Sequence, residues 1–240
     1  MQALIFDCDG VLVDTERDGH RVAFNQAFEK AGLDIEWDVE LYGELLRVAG
    51  GKERMRHYFD SQGWPGAAAE SKDAFLAEMH MTKTAIFADL ISTGKLPLRP
   101  GVLRLVDEAI AAKVRLGVCT TSNPKSIDAV LDLMGPERKC RFEFVLAGDI
   151  VSRKKPDPEI YDLARRKLGL PAAGCIVVED SRNGLLAAIG AGFPCFVTTS
   201  TYTADEDFTG AVGVVPELGD PPNDTVTLEQ LSSLAAKARA

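Results

Sequence analysis

Gln2-Ala3-Leu4-Ile5-Phe6-Asp7-Cys8-Asp9-Gly10-Val11-Leu12-Val13-Asp14-Thr15 decides how the rest of the chain is read. The apolar run Ala3 to Phe6 predicts a buried strand, which ends abruptly in two carboxylates one residue apart and then a glycine. At the carboxyl end of a strand in an open α/β sheet, side chains project into the crevice where ligands bind. Two carboxylates placed there repel each other unless a cation lies between them. The stretch therefore predicts a reaction centre, whose missing parts must come from elsewhere in the chain.

Directly after it the texture changes. Between about Glu16 and Gly94 the apolar residues recur at helical spacing. Val22, Ala23, Phe24, Ala27, Phe28 and Ala31 predict a first helix closed by Gly32. Leu41, Leu45, Leu46 and Val48 predict a second, ending at Gly50-Gly51. Met55, Tyr58 and Phe59 predict a third, ended near Gly63-Trp64-Pro65, and Ala67 to Ile91 one or two more. From Pro97 onward, strands and helices alternate: a helix from about Pro100 to Lys113, a strand Arg115 to Thr120, a helix after Pro124, a strand Phe142 to Leu146, a helix after Pro158, a strand Cys175 to Val178, a helix after Ser181, a strand Cys195 to Thr198, a short strand near Val212 to Val215 and a last helix Leu228 to Ala238. Such alternation with short connections predicts right-handed crossovers and a parallel sheet. The expected architecture is α/β. A Rossmann-like parallel core comprises residues 1–15 and 96–240, and an α-helical cap, residues 16–95, is inserted after the first strand. The crossings near Asp14-Thr15 and Leu96-Arg99 are the expected hinges of a lid.

Composition narrows the partners. Of 240 residues, 46% are hydrophobic and 26% charged, as in ordinary globular proteins, and Lys+Arg 27 against Asp+Glu 36 leaves a net charge of −9. That balance argues against nucleic acid as the main partner. No apolar run is long enough to span a bilayer. The odd set of five cysteines, Cys8, Cys119, Cys140, Cys175 and Cys195, contains no C-x-x-C pair and points to free thiols in a reducing compartment. No targeting segment is read at the N-terminus. With no large apolar stripe in view, a monomer is expected.

Each later strand end offers a chemical group. Leu116 to Cys119 leads to Thr120-Thr121-Ser122-Asn123, with Pro124 placed for a helix start, where hydroxyls and amides bind phosphate. Phe144 to Leu146 leads to Ser152-Arg153-Lys154-Lys155-Pro156-Asp157-Pro158, in which Asp157 is expected to cap a helix and hold Lys155 just before it. Cys175 to Val178 ends in Glu179-Asp180, with Ser181 as the expected cap. Each feature alone has a plainer reading: Asp9-Gly10 a hairpin turn, Arg153 to Lys155 a solvated charge run, Thr120 to Ser122 a helix cap, Glu179-Asp180 a loop edge. Their shared location at four strand ends favours a site.

These parts suit phosphoryl transfer, which needs neutralised phosphate oxygens, an in-line nucleophile and a proton for the leaving alkoxide. Asp7 is the candidate nucleophile and Asp9 the general acid, then base. Asp7, the backbone carbonyl of Asp9, and Asp180 form a hard-oxygen set for Mg²⁺, with Glu179 a possible supporting residue behind it. Lys155 balances charge, while Thr120 and the Thr121 amide hold phosphate oxygens. Ser122, Asn123 and Asn183 complete the candidate substrate contacts on this side.

Asp7-Cys8-Asp9-Gly10, Thr120, Lys155 and Glu179-Asp180 resemble, in order, the four motifs of the haloacid dehalogenase-like (HAD) hydrolase superfamily, over essentially the whole chain. The resemblance implies the cap-bearing Rossmann-like fold and Mg²⁺-dependent chemistry through an aspartyl-phosphate. The second aspartate, Asp9, argues for phosphate chemistry, since dehalogenases of this superfamily lack it. Asp14-Thr15-Glu16, His20, Asn25, Trp37-Asp38, Tyr42, Gly50-Gly51-Lys52-Glu53-Arg54, Arg99-Pro100-Gly101, Lys154 to Pro158 and Tyr202 look most like the CbbY-type sugar phosphatases. That type implies a small phosphorylated sugar as partner: xylulose 1,5-bisphosphate, an inhibitor of the carbon-fixing enzyme Rubisco. Leu41 to Glu44, Asp18 to His20 and Thr203 to Phe208 look closest to plant and algal versions, which implies the chloroplast stroma. For a chain from any other kind of source, a cytoplasmic location is expected.

A bisphosphate carries a second, unreacting phosphate. Gly50-Gly51-Lys52-Glu53-Arg54 offers backbone amides, a lysine and an arginine at a helix start, a credible anion clamp, although an ordinary exposed helix face explains Lys52 and Arg54 equally well. Glu16, His20 and Tyr42 are the implied sugar contacts from the cap, and Lys83 is a further candidate. Asn123 stands where the related β-phosphoglucomutases carry a lysine. A phosphomutase of that type is therefore the alternative reading, and a catalytically silent binding module a third.

Overall fold

The computed structural model describes residues 1–48, 50–68, 70–93 and 96–238; the expected cap edge at Lys95 and the terminal Ala240 lie outside them. Among the described residues six strands form one all-parallel sheet: β1 (Ala3–Phe6), β2 (Arg115–Cys119), β3 (Phe142–Leu146), β4 (Cys175–Glu179), β5 (Cys195–Thr198) and β6 (Gly213–Val215), in the order β3-β2-β1-β4-β5-β6. The α/β expectation holds. All four residues of β1 are buried, as a central strand covered on both faces requires. Strand order reverses at β1, with β2 on one side and β4 on the other, so the crevice beyond their carboxyl ends is the switch point of the sheet. Phe6 pairs with Val118 and with Val178, which brings Asp7 level with the ends of both neighbouring strands.

The chain divides into two compact units, Met1–Thr15 with Leu96–Ala240, and Glu16–Lys95. The first unit carries the sheet with α5 (Val102–Ala111), α6 (Pro124–Asp132), α7 (Pro136–Lys139), α8 (Glu159–Leu168), α9 (Arg182–Gly190) and α10 (Leu228–Lys237). In the second, a five-residue π turn (Glu16–His20) leads into α1 (Arg21–Lys30), α2 (Val39–Leu45), α3 (Gly51–Gln62) and α4 (Lys72–Ser92). Its centre is aromatic: Phe24 and Phe28 pack on Trp37 with ring centroids 4.8 and 5.0 Å away. All three rings are buried, and such pairs contribute about 1 kcal/mol each beyond their burial.

Several boundaries correct the sequence reading. The second helix stops at Leu45 rather than near Val48, and the third begins at Gly51, four residues before Met55, because Gly50 makes the turn with φ +90°. Ala67 lies in a short 3₁₀ turn (Gly66–Ala68), and α4 starts only at Lys72, where the Ser71 side chain accepts the Ala74 N–H. Gly32 closes α1 as expected: it follows the C-cap Ala31 with φ +69°, its N–H donates to the Glu29 carbonyl at 2.9 Å, and the Leu33 N–H donates to the Phe28 carbonyl at 3.0 Å. Asp157 does receive the Glu159 N–H, at 3.0 Å, but the residue at the N-cap of α8 is Pro158.

Candidate active site

Lys155 organises the site. It follows β3 and precedes α8, and its ammonium is sunk among the strand ends with only 9% of the side chain exposed. It donates to Asp7 Oδ1 at 2.6 Å, to Glu179 Oε1 at 2.5 Å and to the carbonyl of Cys119 at 3.0 Å. One residue from each of β2 and β4, and the residue that follows β1, thus meet on one cation. Three donors on three acceptors is the full complement of an ammonium. Its two carboxylate partners hold the lysine's proton more tightly than usual and more than offset burial.

The carboxylates outnumber it. Asp7, Glu179 and Asp180 offer oxygens that lie within 4.8 Å of one another, all buried. Burial, reinforced by Glu179 and Asp9, pushes the Asp7 carboxyl up to about 8 even though Lys155 pulls it down. Asp180 is pushed up too, by burial and then by Asp7 and Glu179, against the hydroxyl of Ser200. Glu179 is engaged by protein donors on both oxygens: Lys155 and the Tyr161 hydroxyl at Oε1, the Asp180 N–H at Oε2. Asp7 and Asp180 are therefore the residues that could hold a metal ion, with Glu179 orienting Lys155 behind them. The donor set fits a hard divalent cation, since oxygen-only ligands with excess negative charge are what Mg²⁺ selects. The shape fits as well. At Gly10, φ +82°, an added Cβ would fall 2.0 Å from Asp180 Oδ2, so only glycine leaves that carboxylate its place.

Asp9 lies apart from that cluster. Its carboxylate accepts the Thr15 hydroxyl at 2.6 Å and the Ser122 hydroxyl. Thr120 is buried at the end of β2, and its Oγ1 accepts the Ser122 N–H at 3.1 Å, which leaves its own O–H as a donor. Thr121 is exposed, and the exposed Asn123 caps α6 by accepting the Lys125 N–H. Asn183 is exposed in the first turn of α9, which Ser181 caps as expected. Thus Asp7, Lys155, Glu179 and Asp180 come together, Asp9 joins Ser122, and Asn123 serves its own helix.

The helical unit has a polar network of its own. The Tyr42 hydroxyl donates to Glu16 Oε2 at 2.5 Å and accepts from Arg54 Nη1 at 2.9 Å; Arg54 also donates to the carbonyl of Leu45 and lies over the Tyr42 ring. Arg54 is buried, whereas Lys52 and Glu53 are exposed. The two basic residues of the expected anion clamp therefore have different surroundings. Gly50 and Gly51 form the start of α3. His20 and Lys83 are both buried and meet at 2.7 Å, with Lys83 Nζ over the rings of Phe24 and Phe87.

Sequence reasoning passed over Tyr161, which sits 18 residues from Glu179 inside an ordinary helix, and Ser200, the partner of Asp180. Neither leaves a local signal. Thr15 stood in a motif, and its contact to Asp9 spans only six residues.

A doubly wound sheet with a lysine-bridged carboxylate cluster at its switch point defines an α/β enzyme suited to phosphate esters. Residues 1–192 match the family described as haloacid dehalogenase-like hydrolase. A CBBY-like protein of Arabidopsis thaliana is 52% identical over 240 residues, covering 98% of this chain and 75% of that protein. The plasmid-encoded CbbY of Cupriavidus necator is 44% identical over 222 residues, 92% of this chain and 87% of its own. CbbY from Rhodobacter sphaeroides, solved with phosphate and, as an aspartate-to-asparagine variant, with xylulose-(1,5)bisphosphate, superposes with a TM-score of 0.81 at 39% identity, over 90% of this chain and 94% of that one. The chain belongs to the haloacid dehalogenase-like hydrolases and, among them, to the CbbY-type phosphatases.

Proposed function

We propose that this chain is a Mg²⁺-dependent phosphatase of a small sugar bisphosphate, converting xylulose 1,5-bisphosphate to xylulose 5-phosphate through an aspartyl-phosphate on Asp7. The observation that carries the reading is the bridge of Lys155 between Asp7 and Glu179 beside Asp180. The sugar ligand seen in the R. sphaeroides relative supports the substrate.

In this reading an oxygen of Asp7 attacks phosphorus as the bond to the sugar oxygen breaks, and Asp9 donates a proton to that leaving oxygen. Asp9 then takes a proton from the water that attacks the aspartyl-phosphate, and the Asp7 carboxylate is restored. Lys155 pulls the Asp7 carboxyl down against burial and offsets charge, while the Thr120 hydroxyl and Thr121 amide bind phosphoryl oxygens. Asp7, the Asp9 carbonyl and Asp180 would hold Mg²⁺, which neutralises charge on the transferring group. Glu16, His20, Tyr42, Lys52 and Arg54 of the helical unit would recognise the rest of the sugar. In a photosynthetic eukaryote such an enzyme would serve carbon fixation in the chloroplast stroma.

The test is product analysis with xylulose 1,5-bisphosphate, with and without Mg²⁺. Equimolar inorganic phosphate and xylulose 5-phosphate are expected. An isomeric sugar phosphate without phosphate release would establish a phosphomutase instead, and no turnover of any phosphate ester would leave a binding module.

A further inference from the structure

We infer that Arg99 is the positioning residue of the acidic turn, clamping the backbone that carries Asp7 and Asp9; its importance to turnover rests on the phosphatase reading above. Arg99 lies where the chain re-enters the sheet unit, and its partners come from three separate segments. Nη1 donates to the carbonyl of Gly10, and Nη2 to the carbonyls of Thr199, at 2.8 Å, and Pro216. The Arg99 backbone N–H donates to the carbonyl of Leu12 at 2.9 Å. One residue thus holds the turn at two points and ties it to the exits of β5 and β6.

The placement matters because of what sits beside each contact. Gly10 follows Asp9 and has no side chain with which to anchor itself, since a Cβ there would strike Asp180. Gly10 itself can therefore be held only through its backbone. Thr199 precedes Ser200, whose hydroxyl bonds Asp180, and Thr201, whose Oγ1 donates to Asp14 Oδ2 at 2.7 Å. Through Thr199, Arg99 links the turn of Asp7 and Asp9 to the loop that steadies Asp180. A planar guanidinium with five donors can satisfy carbonyls arriving from several directions, whereas an ammonium is a single point on a flexible stem. Removing the side chain leaves the carbonyls of Gly10, Thr199 and Pro216 without this donor, while the backbone bond to Leu12 remains, and loosens the turn at Gly10; a displacement of about 1 Å at a reacting group can lower the rate about 100-fold.

The test compares wild type, Arg99→Ala and Arg99→Lys by hydrogen–deuterium exchange of the segment 7–13 and by steady-state kinetics with xylulose 1,5-bisphosphate. In Arg99→Ala the amides of Val11 to Val13 should exchange at least about tenfold faster, and kcat should fall about 10- to 100-fold with KM nearly unchanged. Millimolar guanidinium should restore much of the lost kcat, and Arg99→Lys should remain impaired in both readouts. Wild-type exchange in the turn, or wild-type kcat in either variant, would overturn the inference. So would a loss of activity that follows only a lowered melting temperature and does not respond to guanidinium. Failure of the wild type to hydrolyse any phosphate ester would instead sink the phosphatase reading, and the exchange measurement would still decide the clamp.

Discussion

Lys155 Nζ lies 2.6 Å from Asp7 Oδ1 across 148 residues of sequence, and the same ammonium reaches Glu179. Both carboxylates are buried, so the pair cannot be treated as surface charge. Lys155→Met would leave two buried carboxylates without their cation, which costs about 3–5 kcal/mol. The variant should melt well below wild type. The deficit should be smaller at pH 5 than at pH 8, because Asp7, which burial already raises, can take up a proton at low pH. Phosphatase activity should be lost at both. Thermal melts at the two pH values check this, and an equal deficit at both would count against it.

Asp7→Asn keeps the shape of the side chain and removes the nucleophilic oxygen. Turnover should fall by more than about 10³-fold while the circular dichroism spectrum stays that of wild type. Retained activity would remove Asp7 from the role of nucleophile.

The acidic cluster makes a pH prediction for the metal-free protein. Asp7 is raised from its usual 3.8 to about 8 and Asp180 is also raised, so between those values the folded state holds protons that the unfolded chain has released. Stability from these groups is therefore fully present below pH 3.8 and is lost as pH rises toward 8. Lys155, raised above its ordinary value, contributes evenly across this window. In chelator, the melting temperature should decline from pH 5 to pH 8. Mg²⁺ should stabilise most at the alkaline end, where the ligands are ionised. A Mg²⁺ effect independent of pH would contradict the assignment of these carboxylates as ligands.

Gly10→Ala places a methyl group 2.0 Å from Asp180 Oδ2 in a backbone region that favours glycine. Asp180 must move. Half-saturating Mg²⁺ in the phosphatase assay should rise at least about tenfold, in line with losses seen when metal-ligand geometry is disturbed. Unchanged Mg²⁺ dependence would show that Asp180 tolerates displacement.

Tyr42→Phe deletes the hydroxyl that joins Glu16 to Arg54. A buried guanidinium loses an acceptor, at a cost of about 1–3 kcal/mol. If Glu16 and Arg54 recognise the sugar, KM should rise more than kcat falls. Stability loss with unchanged KM would confine the network to packing.

Much of this protein is written locally. The strand Ala3–Phe6 follows from an apolar run, and the strands Arg115–Cys119, Phe142–Leu146, Cys175–Glu179 and Cys195–Thr198 from similar ones. Asp7, Lys155, Glu179 and Asp180 could each be placed at a strand end, because hydrophobic periodicity and turn chemistry act over a few residues. What they touch could not be read this way. That Lys155 meets Asp7 and Glu179 together depends on the order β3-β2-β1-β4, set by how the crossovers pack. Tyr161 behind Glu179, Ser122 on Asp9 and Arg99 on Gly10 are likewise products of that order. Arg54 shows the limit from the other side. A basic residue in a charged stretch reads as solvated, yet it is buried because α3 turns that position toward Tyr42 and the carbonyl of Leu45. The sequence by itself determined which groups stand at the strand ends; the tertiary structure decided their partners, since pairing across the sheet is a non-local choice.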